Sequence, residues 1–345
     1  MDGKEITSIL VIYTGGTIGM KHNPETGSLA PFNFEQIEVE VPELKKFGFK
    51  LDTISFSPLI DSSNITPEFW VRLVEMVRDN YSRYDGFVIL HGTDTMSYTA
   101  SALSFMIQNL DKPIVLTGSQ LPIGVLRTDG KENLISAIEI AAACKNGQPL
   151  VPEVSIFFEN RLFRGNRTTK HNADHFNAFR SDNYPPLAEA GISIKYNHAY
   201  INYPTGNRVL KTFTSLETNL AILKLFPGMT PAVLDGILSI RGLKALIIET
   251  FGSGNAPTTP WFLSKIEQAV DSGLLVLNVT QCHAGSVDME KYETGILLKK
   301  IGVLSGYDIT TEAAVAKLMF LLGQNITSEE IRLHLDESIS GEISN

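Results

Sequence analysis

Two short polar motifs contain residue types that nucleophilic catalysis could use. The first runs from Thr14 to Gly19 and places two threonines among three glycines, and the second, at 91–95, reads His-Gly-Thr-Asp-Thr. A threonine hydroxyl is a weak nucleophile at neutral pH and needs a neighbouring group that removes its proton. Glycines beside such a hydroxyl allow backbone N–H groups to approach a substrate closely. The first motif is therefore a candidate for a nucleophile held on a turn.

The first motif fits a phosphate-binding loop poorly. The lysine and the serine or threonine of the P-loop do not follow its glycines, and the spacing typical of dinucleotide-binding loops is absent. An ordinary glycine turn, whose hydroxyls bind nearby backbone groups, remains the alternative for this motif.

The second motif offers groups that could assist a nucleophile. Thr93 can pass a proton on but cannot begin its abstraction, so we expect a lysine base in addition. The carboxylate of Asp94 could hold the ammonium group of an amino-acid substrate. The alternative is a strand end that leads into a helix capped by Asp94 or Thr95.

Both motifs follow predicted strands. Short apolar runs alternate with longer amphipathic stretches, which predicts an α/β fold built on a parallel sheet. Ligands of such sheets bind outside the carboxyl ends of the strands, so residues just after a strand are candidate site residues. A third polar segment, Asp61-Ser62-Ser63, also follows a predicted strand. In the first half we predict strands at 8–13, 51–56, 86–90, 113–116 and 154–158 and helices at 66–80, 95–109 and 132–144.

The length of the chain predicts two domains. With 345 residues, 43% of them hydrophobic, the chain exceeds what one core usually organises. We expect two α/β domains: a larger N-terminal domain with a mostly parallel sheet at 1–192, and a smaller C-terminal parallel-sheet domain at 215–345. Periodicity fails in between, which predicts a linker at 193–214. The second domain should contain strands at 221–226, 245–250 and 274–280 and helices at 260–272 and 310–322.

Composition excludes several classes of function. The net charge of −9 argues against nucleic-acid binding, which needs clustered lysine and arginine. The two cysteines, Cys144 and Cys282, are too few for a disulfide framework and are expected to be free thiols. No apolar run approaches the roughly 20 residues that span a bilayer, and the first residues are polar and acidic. We therefore expect a cytoplasmic protein that binds neither membrane nor nucleic acid.

Signals for a metal or an organic cofactor are weak. His171 and His175 stand four apart, as zinc ligands on a helix would, but no third-ligand pattern accompanies them. A polar loop is the better interpretation. The Gly-Ser-Gly at 252–254 is weak evidence for any cofactor. We expect that no metal and no cofactor are needed.

The motifs together resemble those of the asparaginase/glutaminase family. Residues 12–19 are similar to the first signature of the family, and residues 86–96 are similar to the second. The resemblance extends over nearly the whole chain and is strongest for the cytoplasmic, type I bacterial branch. Further stretches that support it lie at 61–63, 118–120, 164–170, 252–257 and 280–282.

The resemblance implies an L-asparaginase, which hydrolyses L-asparagine to L-aspartate and ammonia through a threonine acyl-enzyme without a cofactor. It implies that Thr17 is the nucleophile, that Thr14 is a structural neighbour, and that Thr93 and Lys170 form a second pair of hydroxyl and base. Asp94 would grip the α-ammonium group of the substrate. Backbone N–H groups near Thr93 would stabilise the oxyanion.

The resemblance also implies the remaining substrate contacts. Asp61, Ser62 and Ser63 would line the pocket around the α-amino and α-carboxylate groups of the substrate. Asn255 matches a position that, in the family, reaches the active site of a neighbouring subunit. A homodimer or homotetramer is therefore expected.

Two features depart from the family pattern. The segment at 20–31, a candidate lid, lacks the tyrosine that family members often carry there. Tyr292 could replace it, or could be an ordinary half-buried tyrosine. Thr169 and Cys282 match an allosteric asparagine site of some members, but Glu249 stands near the position of an expected arginine, which disfavours that site.

Three other functions remain as alternatives. A glutaminase substrate is only one methylene longer, which a pocket discriminates by about 1 to 3 kcal/mol. An ammonia-supplying amidotransferase subunit shares these motifs, but would carry an extra N-terminal domain. A non-catalytic amino-acid sensor would bind asparagine and release no ammonia, although a pure binder has no use for Thr17 and Lys170.

Overall fold

The protein is represented by a computed structural model that describes residues 6–22, 29–31, 39–206 and 209–344. It divides into two compact units, Met1–Thr214 and Ser215–Asn345. Each unit has its own parallel sheet with helices, and the sheet of the first is larger. The predicted fold class is confirmed. Within 193–214, where a linker is predicted, strand Ile194–Tyr196 pairs with Ala188–Ala190 inside the first unit.

The first unit is organised by an eight-stranded sheet. Its strands are β1 (Ser8–Tyr13), β2 (Lys50–Ser55), β3 (Gly86–Leu90), β4 (Ile114–Thr117), β5 (Val154–Phe158), β6 (Arg161–Arg164), β7 (Ala188–Ala190) and β8 (Ile194–Tyr196). The strand order is β8-β7-β6-β5-β4-β3-β1-β2. The five strands from β5 to β2 are parallel, and the remaining three join antiparallel.

The described part of the first unit includes the helices α1 (Pro67–Asn80), α2 (Met96–Met106) and α3 (Gly130–Ala142). Thr66 precedes α1 as the N-cap residue and Pro67 takes its first position, where a missing N–H costs nothing. The helix predicted to reach residue 109 ends earlier, because Ile107–Gln108 leaves to pair with Lys211–Thr212. Helix α2 is buried along nearly its whole length, as are strands β1 and β3.

The order of the parallel strands creates a crevice. Strand β1 pairs with β2 on one side and with β3 on the other, although β3 comes later in the chain. The order β2-β1-β3-β4-β5 is that of a doubly wound sheet, and its connections diverge between β1 and β3. Ligands of such sheets bind in the crevice at this point, outside the carboxyl ends of the strands. The first polar motif follows β1 directly and the second follows β3.

The sequence pattern does not predict the antiparallel strands β6, β7 and β8. Strands β5 and β6 form a hairpin whose two turn residues, Glu159 and Asn160, have φ angles of 43° and 64°. Asparagine tolerates this left-handed conformation better than most residues, but a Glu-Asn pair is no strong hairpin signal. Strands β7 and β8 are only three residues each.

The second unit contains a four-stranded parallel sheet and five helices. The sheet order is β9 (Leu220–Lys224), β10 (Ala245–Thr250), β11 (Leu275–Thr280) and β12 (Leu304–Ser305). The helices are α4 (Pro231–Leu238), α5 (Pro260–Asp271), α6 (Glu293–Lys300), α7 (Thr311–Leu322) and α8 (Ser328–Asp336). Across the described parts of both units, no helix combines the length and apolarity that a membrane span requires.

The loops after β1 and β3 meet through two glycines. Gly16 has a φ of 87°, and a Cβ atom on it would lie 2.5 Å from both the Cα and the N of Gly92. A Cβ on Gly92 would in turn lie 2.5 Å from the Oγ of Ser62. Backbone atoms cannot move aside as a flexible side chain does. The approach of the two loops therefore requires glycine at residue 16.

We expect Gly16→Ala to destabilise the protein more than Gly147→Ala does. Gly147 also has a positive φ, of 77°, but nothing lies within 4 Å of its added Cβ. The positive φ should cost each variant about 1 to 3 kcal/mol, and overpacking against Gly92 should cost Gly16→Ala about 1 to 3 kcal/mol more. Urea unfolding of both variants measures the difference. Equal losses would show that the Gly16–Gly92 contact adjusts without strain.

Candidate active site

The two threonines of the first motif have different environments. The backbone N and the Oγ1 of Thr14 both donate hydrogen bonds to the carbonyl oxygen of Leu90, at 3.0 Å and 2.8 Å. Thr14 is buried, and its hydroxyl is used to join the ends of β1 and β3. Thr17 begins a 3-10 helix, Thr17–Gly19, and is only partly buried. Of the two hydroxyls, that of Thr17 is the better placed to meet a substrate.

Lys170 brings the second motif together with a distant part of the chain. Its Nζ donates to the Oγ1 of Thr93 at 2.8 Å and to the Oδ1 of Asp94 at 2.7 Å. The lysine and the threonine are 77 positions apart in sequence. The Lys170 side chain is 18% exposed and that of Asp94 is 61% exposed. One ammonium group therefore contacts a buried hydroxyl on one side and an accessible carboxylate on the other.

Gln120 is a further contact of Thr93. The Thr93 hydroxyl, which accepts from Lys170, donates its own proton to the Oε1 of Gln120 over a longer distance of 3.3 Å. The Nε2 of Gln120 donates to the carbonyl oxygen of His175 at 3.1 Å, which sets the orientation of the amide. The chain of donors runs from Lys170 through Thr93 to Gln120.

No role for Gln120 is part of the sequence prediction, although its segment contributes to the resemblance. The available signal is its position, because it follows β4 at the same edge of the sheet as the two motifs. Its backbone N donates to both carboxylate oxygens of Asp129, at 3.0 Å and 3.1 Å. Burial raises the pKa of Asp129, while the hydrogen bonds from the backbone of Gln120 and Leu121 act in the opposite direction.

The segment Asp61-Ser62-Ser63 lies against the second motif. Asp61 caps a 3-10 helix, Ser62–Asn64, and accepts hydrogen bonds from the N and the Oγ of Ser63 at 2.9 Å and 2.8 Å. These hydrogen bonds lower the pKa of Asp61. Ser62 is buried, and its carbonyl oxygen accepts from the Oγ1 of Thr95 at 2.7 Å. The structure thus brings this segment to the edge that carries Thr93.

His91 begins the second motif and is fully buried. Its Nδ1 lies 2.6 Å from the carbonyl oxygen of Gly92, and its Nε2 lies 2.9 Å from the Oγ1 of Thr99 on α2. Thr99 in turn accepts a hydrogen bond from the indole Nε1 of Trp70 on α1, at 3.0 Å. Burial lowers the pKa of His91 to about 4, so the ring is neutral at neutral pH. The sequence pattern predicts no role for His91, Thr99 or Trp70.

Asn255, Tyr292 and Glu249 belong to the second unit. Asn255 accepts a hydrogen bond from the Oγ1 of Thr294 at 2.5 Å. Tyr292 is 49% exposed and immediately precedes α6. The carboxylate of Glu249 accepts from the Oγ1 of Thr311 at 2.7 Å and lies 3.5 Å from the Nζ of Lys224. Glu249 is therefore engaged by residues of its own unit.

The candidate lid at 20–31 is described only at its ends. Met20–His22 pairs antiparallel with Leu29–Pro31, so the two ends form a ladder. Residues 23–28, which include part of the segment without the tyrosine, lie outside the described residues.

His171 and His175 lie on the loop that joins two short paired strands, Thr169–Lys170 and Phe179–Arg180. The Oδ1 of Asn172 accepts from the backbone N of His175 at 2.9 Å and so shapes this loop. Within the described ranges there is no group of three or more His, Cys, Asp or Glu residues that could hold a metal ion.

We expect the buried His91 to make the protein less stable in mild acid. The folded-state pKa of about 4 lies below the ordinary value near 6.5. Between these values the unfolded chain binds a proton that the folded chain does not, so stability is lost as pH falls from about 6.5 to about 4. The full loss amounts to about 3 kcal/mol. Above about pH 6.5 this group has no effect on the pH dependence of stability.

Urea unfolding of the wild type and of His91→Asn at about pH 7.5 and about pH 5 tests this expectation. From the higher to the lower pH, the free energy of unfolding of the wild type should fall by about 2 kcal/mol more than that of the variant, since asparagine does not titrate. Parallel losses in the two proteins would show that residue 91 does not govern the acid response.

Comparison with known proteins finds relatives over the length of both units. The family model "Asparaginase, N-terminal" matches residues 8–202, and the model "Glutaminase/Asparaginase C-terminal domain" matches residues 219–335. The chain is 43% identical over 343 residues to L-asparaginase 1 of Escherichia coli, and the alignment covers 98% of each chain. A second relative, the 60 kDa lysophospholipase of Mus musculus, is 39% identical over 360 residues that cover 97% of this chain and 62% of that protein.

The fold is also similar to that of a solved structure. The crystal structure of L-asparaginase I from Vibrio cholerae O1 superposes with a TM-score of 0.89 at 41% sequence identity. The superposition covers 99% of this chain and 100% of that one.

Proposed function

The chain belongs to the asparaginase family, and from this premise we propose that it is an L-asparaginase that releases ammonia from the side chain of L-asparagine. The observation that carries the proposal is the contact of Lys170 with both Thr93 and Asp94, at the sheet edge where the turn of Thr17 lies. A hydroxyl next to a lysine suits nucleophilic acyl transfer, and an accessible carboxylate suits the ammonium group of an amino-acid substrate.

We propose a reaction in two steps through an acyl-enzyme. In the first, the Oγ1 of Thr17 bonds to the side-chain carbonyl carbon of asparagine. The carbon–nitrogen bond then breaks and the nitrogen leaves as ammonia after receiving a proton. In the second, water attacks the resulting ester, the bond to Thr17 breaks, and the threonine regains its proton as aspartate forms. Each step needs one group that accepts a proton and later returns it.

The pair of Thr93 and Lys170 is suited to move that proton. The Lys170 Nζ lies within hydrogen-bond distance of the Thr93 oxygen, so a proton can pass between them without a movement of the backbone. Because the Thr93 side is buried, bulk water competes little with this transfer. In its neutral amine form Lys170 can accept the Thr93 proton across this contact, which supports the assignment of Lys170 as the base and of Thr93 as the relay.

Asp94 is suited to the α-ammonium group of the substrate. Only its Oδ1 contacts Lys170, and the side chain is largely accessible. A carboxylate has lone pairs on two oxygens, so it can accept from a second cation at the same time. Asp61, whose lowered pKa keeps it charged, supplies another negative group at this edge. Together with Ser62 and Ser63 it is proposed to line the pocket around the polar end of the substrate.

The proposal is tested by ammonia release from L-asparagine and L-glutamine. Thr17→Ala should lower kcat by about 10³-fold or more, because the nucleophile is lost, whereas Thr17→Ser should retain part of the activity. Lys170→Met keeps the length of the side chain and should lower kcat by about 10²-fold or more. Lys300→Met, at an exposed position on α6, is the matched control and should leave activity unchanged.

Two outcomes would contradict this assignment. If the wild type binds asparagine in calorimetry but releases no ammonia, the protein is a sensor. If Thr17→Ala stays as active as Thr17→Ser, another group is the nucleophile. If the rate with glutamine equals or exceeds the rate with asparagine, the assignment of asparagine as the preferred substrate is wrong, but the proposed mechanism is not affected.

We also propose that the working unit is a homodimer or homotetramer. This rests on Asn255, which matches a position that reaches a neighbouring subunit in the family. Light scattering of the purified protein measures the mass in solution. We expect a multiple of the 38.0 kDa chain mass. A monomer with full asparaginase activity would exclude a catalytic contribution from a neighbouring subunit.

A further inference from the structure

The hydrogen bonds around His91 allow only one placement of their protons. A carbonyl oxygen only accepts, so the Nδ1 of His91 must carry the proton that it shares with Gly92. A neutral imidazole carries one such proton, so its Nε2 accepts from the hydroxyl of Thr99. The Thr99 oxygen then accepts from Trp70, whose indole nitrogen is a donor only. Each of these groups thus has a hydrogen-bond partner, and together the hydrogen bonds fix both the tautomer and the orientation of the His91 ring.

The ring in turn fixes one peptide group. The peptide bond between Gly92 and Thr93 is trans, because among the described residues the cis peptide bond lies at Ser57-Pro58. The C=O and N–H of a planar trans peptide point in opposite directions. Because the Gly92 oxygen is held by the buried His91 ring, the N–H of Thr93 points away from that ring. The backbone of Gly16, just before Thr17, approaches the Cα and N of Gly92, so the turn of Thr17 lies against the residue whose carbonyl oxygen His91 holds.

We propose that His91 is a positioning residue for the amide hydrolysis: by holding the carbonyl oxygen of Gly92, it aims the N–H of Thr93 at the substrate oxygen that becomes negative in the tetrahedral intermediate. This inference rests on the proposed function and deepens it. His91 does not touch the substrate and exchanges no proton with it, since both of its nitrogens are occupied in the core. It acts only through the peptide that it holds.

The expected effect concerns the transition state more than substrate binding. The substrate carbonyl gains negative charge as the nucleophile attacks, so a well-aimed N–H donor becomes stronger at that moment. Loss of one such donor typically lowers kcat by about 10²- to 10³-fold. A misaimed donor should therefore lower kcat while KM and the affinity for the product L-aspartate change little.

Two substitutions at residue 91 separate the two hydrogen bonds of the ring. Asparagine places an N–H donor close to the position of Nδ1 and can keep the bond to Gly92, but does not reach Thr99. Glutamine reaches the position of Nε2 and can keep the bond with Thr99, but loses the donor close to Gly92. We expect His91→Asn to retain kcat within about 5-fold and His91→Gln to lose about 10²-fold, with KM within about 3-fold in both.

Thr99 gives a second pair of variants that does not touch the second motif. Thr99→Ser keeps the hydroxyl that holds Nε2, and Thr99→Val removes it at nearly the same volume. We expect Thr99→Val to lower kcat by about 10-fold and Thr99→Ser to leave it unchanged. This pair keeps the inference testable if a substitution of His91 fails to fold.

The measurements are kcat and KM for ammonia release, L-aspartate affinity by calorimetry, and the folded fraction by circular dichroism. Equal losses of kcat in His91→Asn and His91→Gln would overturn the inference, as would losses that only follow the folded fraction. A matching rise in KM would also overturn it, because it would indicate a role in substrate binding. If the wild type releases no ammonia, the proposed function fails, and the inference that rests on it fails too.

Discussion

The close approach of Gly16 and Gly92 is the constraint on which the rest of the candidate site depends. Strands β1 and β3 are paired in register up to Tyr13 and Leu90, so the loops that follow them start at the same level of the sheet. Thr14 ties these two ends through its backbone N and its hydroxyl. Only a residue without a Cβ allows the first loop to lie on the backbone of the second. The turn that carries Thr17 is thereby held against Gly92, the residue that precedes Thr93.

Thr93 lies between two series of hydrogen-bonded groups that differ in their surroundings. The Oγ1 of Thr93 accepts a hydrogen bond from Lys170 and donates one to Gln120. This set of hydrogen bonds reaches solvent at Asp94, the residue proposed to bind the substrate ammonium group. On the side of the Thr93 peptide group, the hydrogen bonds from Trp70 to Gly92 lie wholly within the core. Burial lowers the pKa of His91, so the groups in this set are neutral. In the proposed reaction the first set of groups moves protons, whereas the second set holds a peptide group in place.

The sequence pattern predicted the central part of the fold well, for a physical reason. Strands buried on both faces are nearly continuous apolar runs, and β1, β3 and β5 have the predicted bounds. The N-cap residue and the first-turn proline predict the helix at 67–80. The pattern could not predict that residues 107–108 would leave the second helix, because their partner strand lies more than 100 positions later. The antiparallel strands β6 to β8 were not predicted, because strands of three or four residues carry little periodicity.

By itself the sequence determined the types of residue at the strand ends and hence the candidate chemistry. It identified Thr17, Thr93 and Asp94 as polar groups at the carboxyl ends of buried strands, since this placement follows from local apolar runs. Lys170 entered through resemblance alone. Tertiary structure decided that Lys170 contacts both Thr93 and Asp94, that Gln120 joins them, and that His91 turns inward to Gly92. The reason is that periodicity reports only on neighbours along the chain, whereas strand order and register determine which distant residues meet.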